Sequence, residues 1–450
     1  MSSYETAIAR MNALGHELAQ TPSHKFDLAH MRVLLAALDN PERHFPSVLI
    51  AGTNGKGSTA ATLASILQAS GLRTGLYTSP HLVRINERIQ IGGQQIGDDD
   101  FALVHDLVDR TAERLAGEGE LPWHPSFFEM LTAIAFEHFA RRKVEIAVLE
   151  VGMGGRLDAT NVVEPIVSVI TDISLDHQKF LGDSVTEIAG EKAGIIRPGG
   201  VVVTLPQQPQ ANDVIGNTIL ELNARAVNAV PYVPPVSPAS AQYLAAGSEK
   251  NPVSRYPMQV MGEQILVETP LIGRHQLRNV ALAIAAAEEL GRQGFGVTAA
   301  SIERGIRESH WPGRFQVMPA GGGAPEYVFD VAHNPAGAWA LRSTLSAGYA
   351  ERPLTFIFGA MRDKAIGEMA EILFPLAERV IATRADNPRS AAPEDIREAA
   401  SRTSTQIEEA ADVAAALKLA RTSARPDAVV VVTGSIYIVG EAMRLLGARI

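Results

Sequence analysis

The 450-residue sequence contains no cysteine. That absence excludes disulfides, thiolate-bound zinc and a cysteine nucleophile. No apolar run approaches the roughly 20 residues that cross a bilayer. The opening stretch MSSYETAIARMNALGHELAQ is polar with a helical period and lacks the apolar centre of a secretory signal. Positive charge is not in excess either: 40 basic against 50 acidic residues give a net charge of −10. A general nucleic-acid or acidic-membrane surface is therefore disfavoured, and an anionic substrate would have to be captured by local fields. Fixed-period repeats and extended low-complexity segments are also missing. Together these absences predict a soluble, cytoplasmic chain, for which a monomer is the default expectation.

With 46% hydrophobic and 20% charged residues, the composition is that of an ordinary globular protein. The length exceeds what one hydrophobic core supports, so two domains are expected. Short β-branched runs alternate with longer helical stretches, the mark of an α/β fold with a mainly parallel sheet. SVLIAG (47–52), RTGLYTS (73–79), VEIAVLEVG (144–152), PIVSVITDI (165–173) and GVVVTL (200–205) read as strands. The rhythm weakens over 206–270, where PYVPPVSPAS (231–240) is proline-rich and YPMQVMGEQILVETPL suggests a hairpin. RNVALAIAAAEELGRQG (278–294) reads as a helix ended by glycine. The Gly- and Pro-rich segment WPGRFQVMPAGGGAPEY (311–327) then marks a boundary. Beyond it EYVFDVA, PLTFIFGA, RVIATRA and DAVVVVTGS restart the α/β pattern. The expected division is residues 1–310, a linker at 311–325, and a smaller second domain at 326–450.

Between the first two strands lies AGTNGKGST (51–59), followed by the helical stretch STAATLASILQAS. Strand, glycine loop, lysine, hydroxyl pair and helix stand in the order of a phosphate-binding loop. Backbone N–H groups of such a loop surround an anion, Lys56 can reach outer phosphates, and Ser58 or Thr59 can offer a hydroxyl to phosphate or magnesium. Two departures from the usual pattern stand out. Gly57 separates the lysine from Ser58, and Ile50 occupies the place of the first glycine.

GTNGKGST is similar to the loop of the folylpolyglutamate synthase and dihydrofolate synthase branch of the Mur ligases, in which the extra glycine is characteristic. TSPHL (78–82), SFFEMLTAIAF (126–136), LEVGMGGRLDATN (149–161), DH with LG (176–182), EKAGIIRPG (191–199), PGRFQ (312–316) and DVAHNP (330–335) resemble further motifs of that family, in the family's order. The resemblance implies an N-terminal P-loop ATPase-type domain with a mainly parallel sheet and a smaller C-terminal Rossmann-like α/β domain. It also implies an ATP-dependent amide ligase that adds L-glutamate to tetrahydrofolate, or to dihydropteroate, through an acyl phosphate.

Site residues follow by matching positions. The resemblance implies that Asn54, Gly55, Lys56, Gly57, Ser58, Thr59, Asn279, Arg314 and Asp330 hold ATP. It places two magnesium ions on Ser58, Ser79, Glu150, His177 and Lys192, the last as a carbamate. The acid substrate is expected against Phe26, Asp27, Leu28, Phe127, Phe128, Glu129, Leu157, Asp158 and Ala159. Lys56, Lys192 and His333 are the expected catalytic groups, with His333 a candidate acceptor of the amine proton. The residues argue in the same direction. A carboxylate such as Glu150 in an apolar strand is costly to bury unpaired. Lys192 closes a helix opened by a Ser184–Glu187 capping box, where a cation also suits the helix dipole. At least one of Phe127 and Phe128 is expected in the core. Arg84 and Arg88 fit either a site for a glutamate tail or a solvated face. The rival readings are a Mur-type cell-wall peptide ligase and a P-loop ATPase that drives a protein partner.

Overall fold

The computed structural model describes residues 3–15, 27–235, 252–321, 324–403, 405–423, 425 and 427–450. Phe26 and residues 236–240 of the proline-rich stretch lie outside them. The first sheet has eight strands: β1 (Ser47–Ala51), β2 (Thr74–Tyr77), β3 (Ile89–Ile91), β4 (Gln94–Gln95), β5 (Ile146–Glu150), β6 (Val167–Ile170), β7 (Val201–Thr204) and β8 (Arg225–Asn228). Their order is β4-β3-β2-β5-β1-β6-β7-β8. The six from β2 to β8 across the centre are parallel, and only β3 and β4 run against their neighbours.

Burial explains why these runs carry no polar alternation. Leu49 and Ala51 of β1 enter one core, while Val48 and Ile50 enter the core on the opposite face. A parallel sheet covered by helices on both faces needs apolar residues at every position. Helices Asp98–Gly117 and Phe127–Arg141 supply much of the first core. Helices Lys56–Ala69, Arg274–Arg292 and Ala299–Glu308 cover the other. The helix read at 278–294 therefore begins a turn earlier, and Gly294 follows it with φ +97°. The hairpin expected before it forms from β9 (Ser254–Val260) and β10 (Glu263–Thr269), antiparallel as read.

The second sheet contains β11 (Gln316–Met318), β12 (Glu326–Phe329), β13 (Leu354–Phe358), β14 (Arg379–Ala382), β15 (Ile407–Glu409) and β16 (Val429–Thr433). Its order is β11-β12-β16-β13-β14-β15, parallel except for β11. The stretch read as linker thus contains a strand: β11 pairs antiparallel with β12. Glycine and proline dominate that segment's composition, which hid the three-residue run QVM. The C-terminal ends of the parallel strands in both sheets open onto one crevice, the place where α/β sheets put their binding groups.

Candidate functional site

β1 runs into the glycine loop, which turns into the helix Lys56–Ala69. Gly55 caps that helix at φ +91° and offers no side-chain acceptor. A Cβ there would lie 2.1 Å from Asn279 Oδ1, so both the backbone conformation and the space demand glycine. The first-turn N–H groups consequently face the crevice with the positive end of the helix dipole behind them. The loop is braced from β6: the N–H groups of Thr53 and Asn54 donate to the Asp172 carbonyl at 2.9 and 3.1 Å. Thr59 is placed differently from the expectation. Its hydroxyl is buried and donates to the Asn279 carbonyl at 3.4 Å, so it joins two helices and does not line the crevice.

Two lysines converge behind the loop. Lys56 Nζ donates to the Gly52 carbonyl at 3.0 Å, and Lys192 Nζ donates to the same oxygen at 2.8 Å. Lys192 is 4% exposed. Burial, with the charge of Lys56 beside it, lowers its pKa to about 7, against the pull of Asp176, Asp158 and Glu191. The capping box of its helix forms as read, with Ser184 Oγ accepting from Glu187 N–H and the Glu187 carboxylate accepting from Ser184 N–H.

Glu150 ends β5 and is 4% exposed. Its Oε2 accepts the Ser79 N–H at 3.1 Å. Burial pushes its pKa up to about 6, although Lys56, that N–H, Arg314 and Arg88 all pull it down. His177 adopts a left-handed φ of 51° after β6, and its N–H donates to Asp176 Oδ1. Burial lowers its pKa to about 4, so the ring is neutral at physiological pH and keeps a lone pair for a cation. Among the described residues no three His, Cys, Asp or Glu side chains group closely enough to hold a metal by themselves. One carboxylate, one imidazole and the hydroxyls of Ser58 and Ser79 form a sparse, oxygen-rich donor set. It suits magnesium, which retains waters and takes phosphate oxygens, better than a fully caged ion.

The second sheet completes the crevice. Asp330, at the end of β12, accepts Ala332 N–H on Oδ1 and Phe315 N–H on Oδ2, both at 2.9 Å, and burial raises its pKa. Arg314 is half-buried, and its charge acts on Asp330 and Glu150. Asn279 is buried and donates to Gln276 Oε1 at 2.9 Å. His333 has Nδ1 on the Val331 carbonyl at 3.0 Å and Nε2 3.6 Å from Asp176 Oδ2. Both ring nitrogens therefore face oxygen atoms of the junction.

The hub of this junction is Asp176, the neighbour of His177 in the DH motif, to which the sequence alone assigns no role. Asp176 Oδ1 lies 2.7 Å from Lys364 Nζ, and its Oδ2 accepts from Asn334 Nδ2 at 3.2 Å. Although burial opposes it, the hydrogen bond from His333 and the charges of His177, His333 and Lys364 hold the Asp176 carboxyl well below the usual range. Asn334 also donates to Asn54 Oδ1 at 3.0 Å, directly joining the second domain to the glycine loop. Lys364 follows β13 in GAMRDK. The rule that binding groups follow parallel strands would have pointed to it.

Two cavities adjoin here. One of about 490 Å³ is lined by residues 52–58, Glu150, His177, Lys192, Asn279 and Asp330, among others. The other, about 680 Å³, reaches outward past Asp27, Leu28, Phe128, Glu129, Leu157, Asp158 and Ala159. They share Ser79, Pro80, Gly152, Met153, Gly154, His177, Leu181, Arg314, Val331 and His333. Phe127 is absent from the larger cavity. It is buried in the first core under the Arg88 guanidinium, 5.4 Å from its ring centroid. Several lining carboxylates are already engaged. Glu129 closes the capping box of its helix on Ser126, Asp158 accepts from Met153 and Thr160 N–H, and Asp27 caps its helix through Ala29 N–H. The solvated-face alternative describes Arg84, which is exposed, but not Arg88. Arg84 bridges to Asp98 and lies over the Tyr4 ring, whereas Arg88 is buried and donates to His81 Nδ1 at 2.8 Å.

Comparison with known proteins bears on this geometry. Residues 128–287 match the family described as Mur ligase middle domain, and residues 313–436 match Mur ligase, glutamate ligase domain. The dihydrofolate synthase/folylpolyglutamate synthase of Bacillus subtilis is 34% identical, over 93% of this chain and 94% of its own length. A probable bifunctional folylpolyglutamate synthase/dihydropteroate synthase of Haloferax volcanii is 37% identical over 92% of this chain. The chain spans only about half of that longer relative, 47%. Among solved structures, Mycobacterium tuberculosis folylpolyglutamate synthase complexed with ADP and AMPPCP superposes with a TM-score of 0.85 at 32% identity, covering 98% of this chain and 99% of that one.

Proposed function

The chain belongs to the folylpolyglutamate synthase/dihydrofolate synthase family of Mur ligases, and from that premise we propose that it is an ATP-dependent ligase that joins L-glutamate to tetrahydrofolate, with dihydropteroate as a second acceptor. The observation that carries this reading is the pair of adjoining cavities. The smaller has the glycine loop and helix terminus that suit a triphosphate, and the larger has the apolar depth that suits an aromatic acid. Their shared wall is where a carboxylate from one cavity can meet a phosphate from the other.

In the proposed reaction a carboxylate oxygen of the acid attacks the γ-phosphorus of ATP, the bond to ADP breaks, and an acyl phosphate forms. The glutamate amine then attacks the acyl carbon, loses a proton, and expels phosphate. The loop N–H groups and Lys56 hold the phosphates in line, and the Arg314 fork faces the charge that develops on them. Asn279 and Asp330 are assigned to the nucleotide, and Phe128, Leu157 and Ala159 to the acid. Ser58, Ser79, Glu150 and His177 would hold magnesium, which when bound neutralises phosphate charge. Closure of the second domain on the crevice, through Asp176, Lys364 and Asn334, would exclude water from the acyl phosphate. The linker at 311–325 is assigned as the crossing between the two domains, and the site is built entirely from one chain.

Lys192 is proposed to be carbamylated. Its neutral amine attacks CO₂, an N–C bond forms, and a proton leaves, which yields an anionic carbamate beside Lys56. With a pKa of about 7, roughly half of Lys192 is neutral at pH 7, against about one part in 3,000 for an ordinary lysine. The expected consequence is measurable: protein stripped of CO₂ and assayed at pH 6.5 loses most of its activity and regains it on addition of bicarbonate. Activity unaffected by bicarbonate at every pH would refute the modification.

The function itself is tested by incubating the purified protein with MgATP, labelled glutamate and either tetrahydrofolate or dihydropteroate. Incorporation with both is expected. ATP hydrolysis without incorporation would sink the ligase reading.

A further inference from the structure

We propose that Trp311 is a positioning residue: it anchors the interdomain crossing on the first turn of the phosphate-loop helix and thereby fixes where Arg314 stands. The proposal rests on the ligase reading for its kinetic arm only.

Four observations carry it. Trp311 belongs to the crossing segment by sequence, yet its side chain packs against the buried core between the first sheet and its helices. A Cβ added to Gly57 would lie 2.6 Å from Trp311 Cζ2, 3.0 Å from Cε2 and 3.1 Å from Nε1. Gly57 is not at positive φ, so its glycine answers a need for space and not for an unusual backbone. This is a physical reason for the residue that interrupts the usual lysine–serine pair. Thirdly, the indole Nε1 is buried and has no acceptor, so the ring is held by shape and not by a hydrogen bond. Lastly, the segment is pinned again just beyond, where Phe315 N–H donates to Asp330 Oδ2 at 2.9 Å and Gly313 N–H donates to Gln316 Oε1 at 3.0 Å. Arg314 lies between these two fixed points and lines both cavities. If the indole lets go of the loop helix, the guanidinium loses its anchor on the side of the nucleotide. Misplacement of such a group by about 1 Å is enough to cost one to two orders of magnitude in rate.

The test is a double-mutant cycle on the full-length protein. Trp311→Leu is expected to lower kcat about tenfold, while Trp311→Phe, which preserves the ring and removes the unpaired N–H, keeps more than half of the wild-type rate. In an Arg314→Ala background, Trp311→Leu should cost less than a further twofold, because the group it positions is gone. Losses that simply multiply would overturn the proposal. A second arm reads the contact directly. Gly57→Ala is expected to weaken ADP binding, measured by calorimetry, at least tenfold, and Gly57→Ala/Trp311→Leu should recover most of that loss by restoring space. No recovery in the double variant would show that the glycine serves something other than Trp311 and would also overturn the proposal. Wild-type protein that binds ADP but incorporates no glutamate would count against the ligase reading alone, because the ADP arm still decides this one. Circular dichroism confirms that each variant is folded before either arm is read.

Discussion

Lys56→Ala is expected to reduce glutamate incorporation on the order of 10³-fold while leaving the fold intact. The side chain spends its hydrogen bonds on two carbonyls of its own loop, Gly52 at 3.0 Å and Thr53 at 3.4 Å, which water can satisfy in its absence. Nothing in the packed core depends on it. Its loss would act on more than the phosphates. Its charge is one of the causes that lower the pKa values of both Lys192 and Glu150. Without it Lys192 holds its proton to higher pH and Glu150 gains one more readily, so the acid limb of the pH–rate profile should move upward in the residual activity. Circular dichroism together with a pH series of labelled-glutamate assays checks both parts. Activity within tenfold of wild type, with an unmoved acid limb, would remove Lys56 from the mechanism.

Glu150→Gln is expected to do two opposite things. The wild-type carboxyl is raised to about 6 from an ordinary 4.5, burial being the largest cause. An acid whose folded pKa is raised binds protons more tightly in the folded state. Its stabilising contribution is therefore fully present below pH 4.5 and is lost as pH rises through 6. At pH 7.5 the ionised side chain costs the ligand-free protein about 2 kcal/mol. Glutamine can still accept the Ser79 N–H and carries no charge, so Glu150→Gln should be more stable by that amount at pH 7.5 and no more stable at pH 4.5. The same change removes the buried carboxylate assigned to magnesium. Ligase activity should fall on the order of 10²- to 10³-fold, and MgATP, expected to raise the melting temperature of the wild type, should no longer do so in the variant. Thermal unfolding at the two pH values, with and without MgATP, separates these effects. A variant less stable than wild type at pH 7.5 would show that Glu150 is held by a partner stronger than the Ser79 N–H. The expected outcome, a variant more stable but less active, is the usual pattern of a functional group maintained against the stability of its own fold.

The sequence by itself determined the α/β rhythm, the parallel first sheet, the glycine loop and the family. Each of these rests on local pattern: apolar runs long enough to be buried on both faces, glycines at a strand–helix turn, and motifs in a fixed order. It also placed Glu150, His177 and Lys192 at strand and helix ends: Glu150 because a charge in an apolar run is visible in one dimension, His177 because it follows a strand, and Lys192 because it closes a helix opened by a capping box. Tertiary structure decided what depends on which elements meet. Thr59 turned from the crevice toward Asn279, Phe127 went into the core while Phe128 lined the cavity, and Arg88 was buried on His81 although its spacing from Arg84 suited a surface. Asp176 became the junction of two domains only because β12 and β13 deliver Asn334, His333 and Lys364 to it from more than 150 residues away. The glycine that interrupts the loop motif is legible in sequence as an oddity and explained only in space, by the indole of Trp311 lying where a methyl group would be. Local pattern fixes which elements form, because periodicity and turn chemistry act over a few residues. The direction of a side chain at an element's end is set by the partner across the gap, and that partner is chosen by the packing of the two sheets.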